Sequence, residues 1–192
     1  RSRLMGIPTL IKTLTASGSA SLDFVDGTAD VTFDSTYDEY MFVFTDIHPE
    51  EDDRNFMFQV NATDDAGGDY DTSLITSTSF EARDDEGNTV NTLQYVTADD
   101  LAQSASFQIL QGNVGAGEAD ESTSGILHIF SPASTTYVKH FYSRFVANTY
   151  NVTCVQQFVT GYINDTTAID EIQFKFSSGN IDAGVIQMYG IA

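Results

Sequence analysis

The feature that most constrains the fold is a series of short segments in which apolar and polar residues alternate. Segments such as STYDEYMFVFTDIHP and DEIQFKFSS are rich in the aromatic and β-branched residues that favour strands. About ten to twelve such segments follow one another, with Gly, Asp, Asn and Pro between them. This pattern predicts an all-β protein, namely a single-domain β-sandwich of jelly-roll type over residues 9–192. Residues 1–8 are predicted to be an N-terminal arm or the remnant of an upstream segment.

Two segments are apolar on both sides of the predicted strand. In the first, Tyr40, Phe42 and Phe44 share one side, while Met41 and Val43 occupy the other. A strand of this kind is predicted to be buried between two layers. In the second, residues 185–191 are mostly apolar on both sides, which predicts a position inside a sheet or at a subunit contact.

The segment DEIQFKFSSGNIDAGVIQMYGI, residues 170–191, is predicted to form a β-hairpin. Gly179 is expected to adopt a positive φ in its turn, and Gly184 to open the last strand or to mark a bulge. Elsewhere, TADDLAQSASFQIL has the only plausible helix start, but its serines weaken that alternative. Residues 106–110 are therefore predicted to be a strand.

The net charge of −20 is unevenly distributed along the chain. Residues 23–121 contain 24 of the 28 acidic residues and two of the eight basic ones. Binding to nucleic acid is not expected, because phosphate recognition needs clustered Lys and Arg. Binding to an anionic membrane is not expected for the same reason, and no apolar run is long enough to span a membrane. The acidity is compatible with solubility through like-charge repulsion, or with adaptation to salty water, where screening weakens that repulsion.

Cysteine and histidine provide little support for a reactive or metal-binding site. The single cysteine, Cys154, forms no intrachain disulfide and is compatible with folding in a reducing cytoplasm. His48, His128 and His140 lack a third or fourth ligand at the fixed spacing that zinc sites use. The sequence also lacks nucleophile-elbow, zinc-protease and kinase motifs, so no enzymatic activity and no cofactor is expected.

Two acidic loops are the candidates for ligand or partner contacts. The loop TDDAGGDYD contains four carboxylates that could supply oxygen ligands to calcium: Asp64, Asp65, Asp69 and Asp71. It lacks the EF-hand pattern, so calcium is the weaker alternative to a solvated loop. Four loop residues are candidates for facing a host or a partner: Thr63, Tyr70, Gly115 and Glu118. Seven tyrosines could stack on sugars or form a protein interface, and Tyr70 is expected to be the best exposed of them: Tyr37, Tyr40, Tyr70, Tyr137, Tyr142, Tyr150 and Tyr162.

Three segments resemble a family of tailed-bacteriophage proteins that is common in marine phages. They are FDSTYDEYMFVFTDIHP, SGILHIFSPASTTYVKHFYSR and GYINDTTAIDEIQFKFSSGNIDAGVIQMYGI. The resemblance extends from about Leu10 to Ile191 and implies an all-β structural domain without catalytic residues. Members of the family occur as distal domains of tail fibres or as stand-alone proteins.

The resemblance implies a virion protein that is assembled in the bacterial cytoplasm. The leading expectation is a head-decoration subunit, of the cement or fibre-like kind, on the particle surface. The alternative is a tail-fibre subunit that recognises a host surface glycan or protein. Both imply contacts with capsid or tail proteins and a homo-oligomer, with a trimer expected by analogy.

Overall fold

Alternating burial along most strands, such as β9 and β11, builds two antiparallel sheets that pack face to face. The computed structural model describes residues 6–70 and 72–192. Its twelve strands are β1 (Thr9–Ser19), β2 (Leu22–Val25), β3 (Glu39–Pro49), β4 (Arg54–Ala62), β5 (Ile75–Asp85), β6 (Asn91–Tyr95), β7 (Gln108–Val114), β8 (Thr123–Phe130), β9 (Lys139–Asn148), β10 (Thr153–Ile163), β11 (Ile169–Phe176) and β12 (Ile181–Ile191). The prediction of an all-β sandwich is confirmed.

The order of the strands gives the sandwich its jelly-roll topology. One sheet has eight strands in the order β1-β12-β3-β8-β9-β10-β5-β6, and the other has four in the order β2-β11-β4-β7. Without β5, β6, β9 and β10, four strands remain in each sheet, and the chain repeatedly crosses from one sheet to the other. This arrangement is the double Greek key of a jelly roll, as the sequence predicted.

The four additional strands extend the larger sheet beyond the edge of the smaller one. A loop between β6 and β7, residues 96–107, covers the inner side of this extension. The amide of Ser77 donates to the carbonyl of Leu101, and the amide of Ile75 donates to that of Ser104. The possible helix in this region is absent, and β7 begins at Gln108, close to the predicted strand.

Phenylalanine rings fill the space between the sheets. The ring centroid of Phe44 lies 5.0 Å from those of both Phe145 and Phe174, and Phe24 lies 5.3 Å from Phe42. These side chains are buried and come from both sheets. Contacts between aromatic rings at these distances add to the free energy gained from burying the rings.

The C-terminal segment enters both sheets. β11 pairs with β2 and β4, whereas β12 lies between β1 and β3. The predicted hairpin is therefore wrong, because the turn after β11 carries the chain to the opposite sheet. The predictions for the glycines are confirmed, since Gly179 has a φ of 69° and the register shifts around Gly184. Among the described residues, no helix has the length and apolarity needed to cross a membrane.

Candidate functional site

The principal candidate site is the outer face, defined as the side chains of the eight-stranded sheet that point away from the four-stranded sheet. Alternation along β9 illustrates its origin: Phe141, Ser143 and Phe145 are buried, whereas Tyr142 and Arg144 are exposed. Residues directly opposite each other in an antiparallel pair project to the same side, so the register defines the whole surface.

The register aligns the outer face in three central rows across the sheet. The middle row consists of Val43, Ile126, Arg144, Phe158, Phe80 and Tyr95. A second row consists of Met41, His128, Tyr142, Thr160 and Thr78. The third row consists of Ser124, Val146, Gln156, Ala82 and Leu93.

Aromatic and aliphatic groups dominate the central rows. Phe80 stacks on Phe158 with 4.9 Å between ring centroids, and His128 stacks on Tyr142 at 4.5 Å. Leu93 is 75% exposed, and Val146 is 45% exposed. A soluble chain seldom leaves an extended apolar surface uncovered unless another molecule binds there.

The central rows contain one formal charge besides the ring of His128, although the whole chain has a net charge of −20. That charge is the guanidinium of Arg144, which lies 5.5 Å from the ring centroid of Phe158. With the Gln156 amide oriented to satisfy both groups, its oxygen accepts hydrogen bonds from Arg144 at 2.5 and 2.6 Å. The outer face is thus apolar and poor in charge.

The structure corrects the prediction that β3 is buried on both sides. Its inner residues Tyr40, Phe42 and Phe44 are buried, but Met41 and Val43 lie half-exposed on the outer face. Within residues 6–70 and 72–192, no second layer covers these two side chains. The neighbouring β12 does lie inside the sheet, as predicted, and its outward residues are also half-exposed.

The loop of residues 63–70 lies against the segment before β11 and against β11 itself. The amide of Thr63, an exposed residue, donates to the carbonyl of Ala168 at 2.9 Å. Tyr70 is half-buried, and its hydroxyl donates to Glu171 Oε2 at 2.9 Å. Burial, followed by that carboxylate, raises the pKa of Tyr70. The prediction that Tyr70 is the best exposed aromatic is therefore wrong, since Tyr137 is 74% exposed.

The fold brings a third carboxylate to two of the predicted calcium candidates. Oxygens of Asp64, Asp65 and Asp165 lie within 4.8 Å of one another, which the sequence did not predict. Asp69 is not in this group, and Asp71 lies outside the described residues. Three carboxylates supply only part of the six to eight oxygens that calcium prefers.

A buried lysine lies close to this acidic group. Lys139 is fully buried, and its ammonium donates to the carbonyl oxygens of Asp165, at 3.1 Å, and of Thr167. Burial lowers the pKa of Lys139, while the nearby charges of Asp165 and Asp64 act in the opposite direction. The acidic group thus already faces a protein cation.

The second acidic loop is partly folded into the protein. Gly115 is buried, so its prediction as a partner-facing residue is wrong, whereas Glu118 is exposed. The reason is Glu121, a buried carboxylate that accepts hydrogen bonds from the amides of Gly117 and Glu118 at 2.5 and 3.0 Å. A Cβ at Gly115 would overlap this carboxylate, so a larger residue would displace Glu121 from these hydrogen bonds.

Comparisons with known proteins identify no relative, so these surfaces are interpreted from their geometry and charge. No protein-family model, no curated protein and no solved structure matches this chain.

Proposed function

We propose that this chain is a structural subunit of a bacteriophage virion, displayed on the particle surface as a head-decoration protein. The observation that carries the proposal is the contrast between the apolar, charge-poor outer face and the acidic remainder of the chain. A decoration subunit needs one surface that binds its neighbours and another that stays in water. The resemblance of three segments to tailed-phage proteins supports the same assignment.

The mechanism is association through buried apolar area. Contacts at the outer face remove Phe80, Leu93 and Val146 from water, which favours assembly by about 25 cal/mol per Å² of apolar surface. Binding to the assembled particle then stabilises it by mass action. The exposed acidic loops keep the particle surface soluble. The protein acts without catalysis, and its place is the virion, assembled in the bacterial cytoplasm.

The test is the number of copies in purified particles of the phage that encodes the chain. A decoration subunit occurs at on the order of hundreds of copies per particle, because it follows the symmetry of the head. Quantitative gel densitometry against the major capsid protein measures this number. Copies on the order of tens would place the chain in the tail fibre instead, and its absence from particles would overturn the virion assignment.

A groove beside Tyr137 favours a second candidate, a tail-fibre subunit that binds a host surface glycan. The groove has a volume of about 200 Å³ and is lined by Tyr37, Tyr137, Asp38 and three serines. Tyrosine rings stack on sugars, and carboxylates and hydroxyls bind sugar hydroxyls. Purified protein should then bind host cells and block infection, and Tyr137→Ala should abolish both effects. Equal blocking by this variant would exclude the groove.

A further inference from the structure

We propose that the outer face binds the outer face of a second copy of this chain, giving a two-fold dimer with its large sheets packed face to face. The proposal rests on the proposed function and deepens it, because it names the partner that binds at the same surface. Such an interface is isologous, since each copy contributes the same residues.

Charge limits where two copies can approach each other. Each chain has a net charge of −20, so contact through the acidic loops is opposed by like-charge repulsion. The three central rows contain no Asp or Glu, and each copy contributes one Arg144. Two outward-facing carboxylates belong to residues outside these rows. Asp84 lies near one end of β5, whereas Glu39, at the opposite end of the sheet, bonds to the ring of His128 in the second row. The outer face is therefore suited to close contact between two acidic chains.

The sequence pattern of β3 and β12 points to a missing layer. Strands that are apolar on both sides are typical of sheets covered on both sides. In the single chain, Met41 and Val43 of β3 and Val185 and Tyr189 of β12 remain half-exposed. A second sheet about 10 Å away would cover all four side chains, as in face-to-face sheet packing.

The area of the outer face is sufficient for a stable dimer. Eight strands spaced about 4.8 Å apart span roughly 35 Å, and a strand of ten residues, such as β9, spans about the same length. The face therefore covers on the order of 1,000 Å². A stable protein interface buries about 800 Å² per partner.

The same features argue against other partners. A basic protein would need carboxylates on this surface, and the central rows contain none. An acidic partner would find only Arg144 as a cation. A second outer face combines low charge with a matching apolar composition, so it is the occupant that these properties favour.

Sedimentation equilibrium of the full chain tests the proposal. From about 1 to 100 µM, the mass of the wild-type protein should rise from 21.0 kDa towards twice that value. Raising NaCl from about 0.05 to 0.5 M should strengthen the association, because screening reduces the repulsion between the acidic chains. An interface held by ion pairs would respond in the opposite direction.

Val146→Glu places a charge in the middle of the contact and should weaken association by at least about 100-fold. Val146 is 45% exposed, so the monomer should still fold, which its circular dichroism and melting temperature can verify. Leu74→Glu is the matched control, since Leu74 is an exposed leucine outside the eight strands. This control should dimerise like the wild type. Dimerisation of Val146→Glu at wild-type strength would overturn the proposal.

A spin label on Cys154, the single cysteine, tests the orientation of the two copies. Cys154 is exposed on β10 and belongs to the outer face, so two labels in the dimer should lie within about 40 Å. A protein that stays monomeric at high salt, or a mass three times 21.0 kDa, would refute the two-fold dimer.

The two proposals fail separately. A monomer that is nevertheless present at high copy number on particles would overturn the dimer and leave the virion function intact. A salt-strengthened dimer that is absent from particles would overturn the function and leave the interface intact.

Discussion

At the scale of single residues, Lys139 shows how one buried cation joins two segments of the chain. It begins β9, and its ammonium holds two carbonyls of the loop between β10 and β11. The carboxylates of Asp64 and Asp165 lie near enough to affect its pKa. Removing such a charge leaves buried carbonyls without donors and leaves the carboxylates without a counter-charge.

Lys139→Met should therefore lower the free energy of unfolding by about 2–4 kcal/mol, although the substitution preserves most of the apolar volume. Urea unfolding followed by circular dichroism measures the change. Lys175→Met is the matched control, because Lys175 is half-exposed and its ammonium lies 4.0 Å from the ring centroid of Phe107. Loss of that contact should cost at most about 1 kcal/mol. Equal decreases in the free energy of unfolding of the two variants would show that the buried ammonium stabilises the fold no more than the half-exposed one.

The sequence predicted the acidic loop at residues 63–71 but not the residues that complete it. Asp165 is distant in the sequence, and the pairing of β11 with β4 brings its loop close to Asp64. Tyr70 is half-buried for a similar reason, because Glu171 on β11 accepts a hydrogen bond from its hydroxyl. Local composition indicates where a loop occurs, but not which distant strand it contacts.

At the scale of elements, the C-terminal strand β12 joins two strands from the N-terminal part of the chain. It lies between β1 and β3, and Ile186 and Met188 on its inner side are fully buried. Without it, β1 would lose its only strand partner in the eight-stranded sheet. β12 therefore contributes side chains to the core and keeps β1 attached to the sheet that carries the outer face.

Removal of residues 185–192 should abolish cooperative folding. The truncated chain would lose buried apolar side chains and leave the backbone groups of β1 and β3 unpaired. Differential scanning calorimetry of the purified protein measures the outcome, and a chain lacking residues 1–8, which precede β1, serves as the control. A soluble truncation with a sharp thermal transition would contradict the expectation.

Strand existence could be predicted from sequence, but strand partners could not. Alternation in DEIQFKF correctly indicated β11, and Gly179 and Gly184 behaved as their chemistry suggests. The hairpin prediction failed because a short turn can join strands in one sheet or carry the chain across to the other. The sequence also predicts burial of the apolar outer side of β3, which is half-exposed in the structure. Periodicity cannot distinguish a side chain in the core from one at an interface.

At the scale of the whole molecule, charge and apolar surface are segregated. Acidic residues are concentrated in loops and in the strands of residues 23–121, whereas the central rows of the outer face hold only Arg144 besides His128. A net charge of −20 opposes the compact state through repulsion among carboxylates. Stability should therefore depend strongly on the ionic strength of the solution.

Raising NaCl from about 0.01 to 1 M should increase the melting temperature by roughly 5–10 °C, since the Debye length falls from about 30 to 3 Å. The Val146→Glu variant is the appropriate protein for this scan, because it separates folding from dimerisation. Neutralising four exposed acids, through Asp30→Asn, Glu86→Gln, Glu118→Gln and Asp182→Asn, should reduce the salt response. An unchanged response in that variant would show that repulsion is not its cause.

Divalent cations complete this test, because they separate general screening from a specific calcium site at Asp64, Asp65 and Asp165. Calcium and magnesium carry the same charge, so screening alone should raise the melting temperature equally at matched concentration. A calcium site would add a further rise that depends on ligand concentration, because calcium accepts irregular oxygen coordination that magnesium does not. We expect equal rises, since Lys139 already supplies a positive charge near these carboxylates. A larger rise with calcium that disappears in Asp165→Asn would instead establish the site.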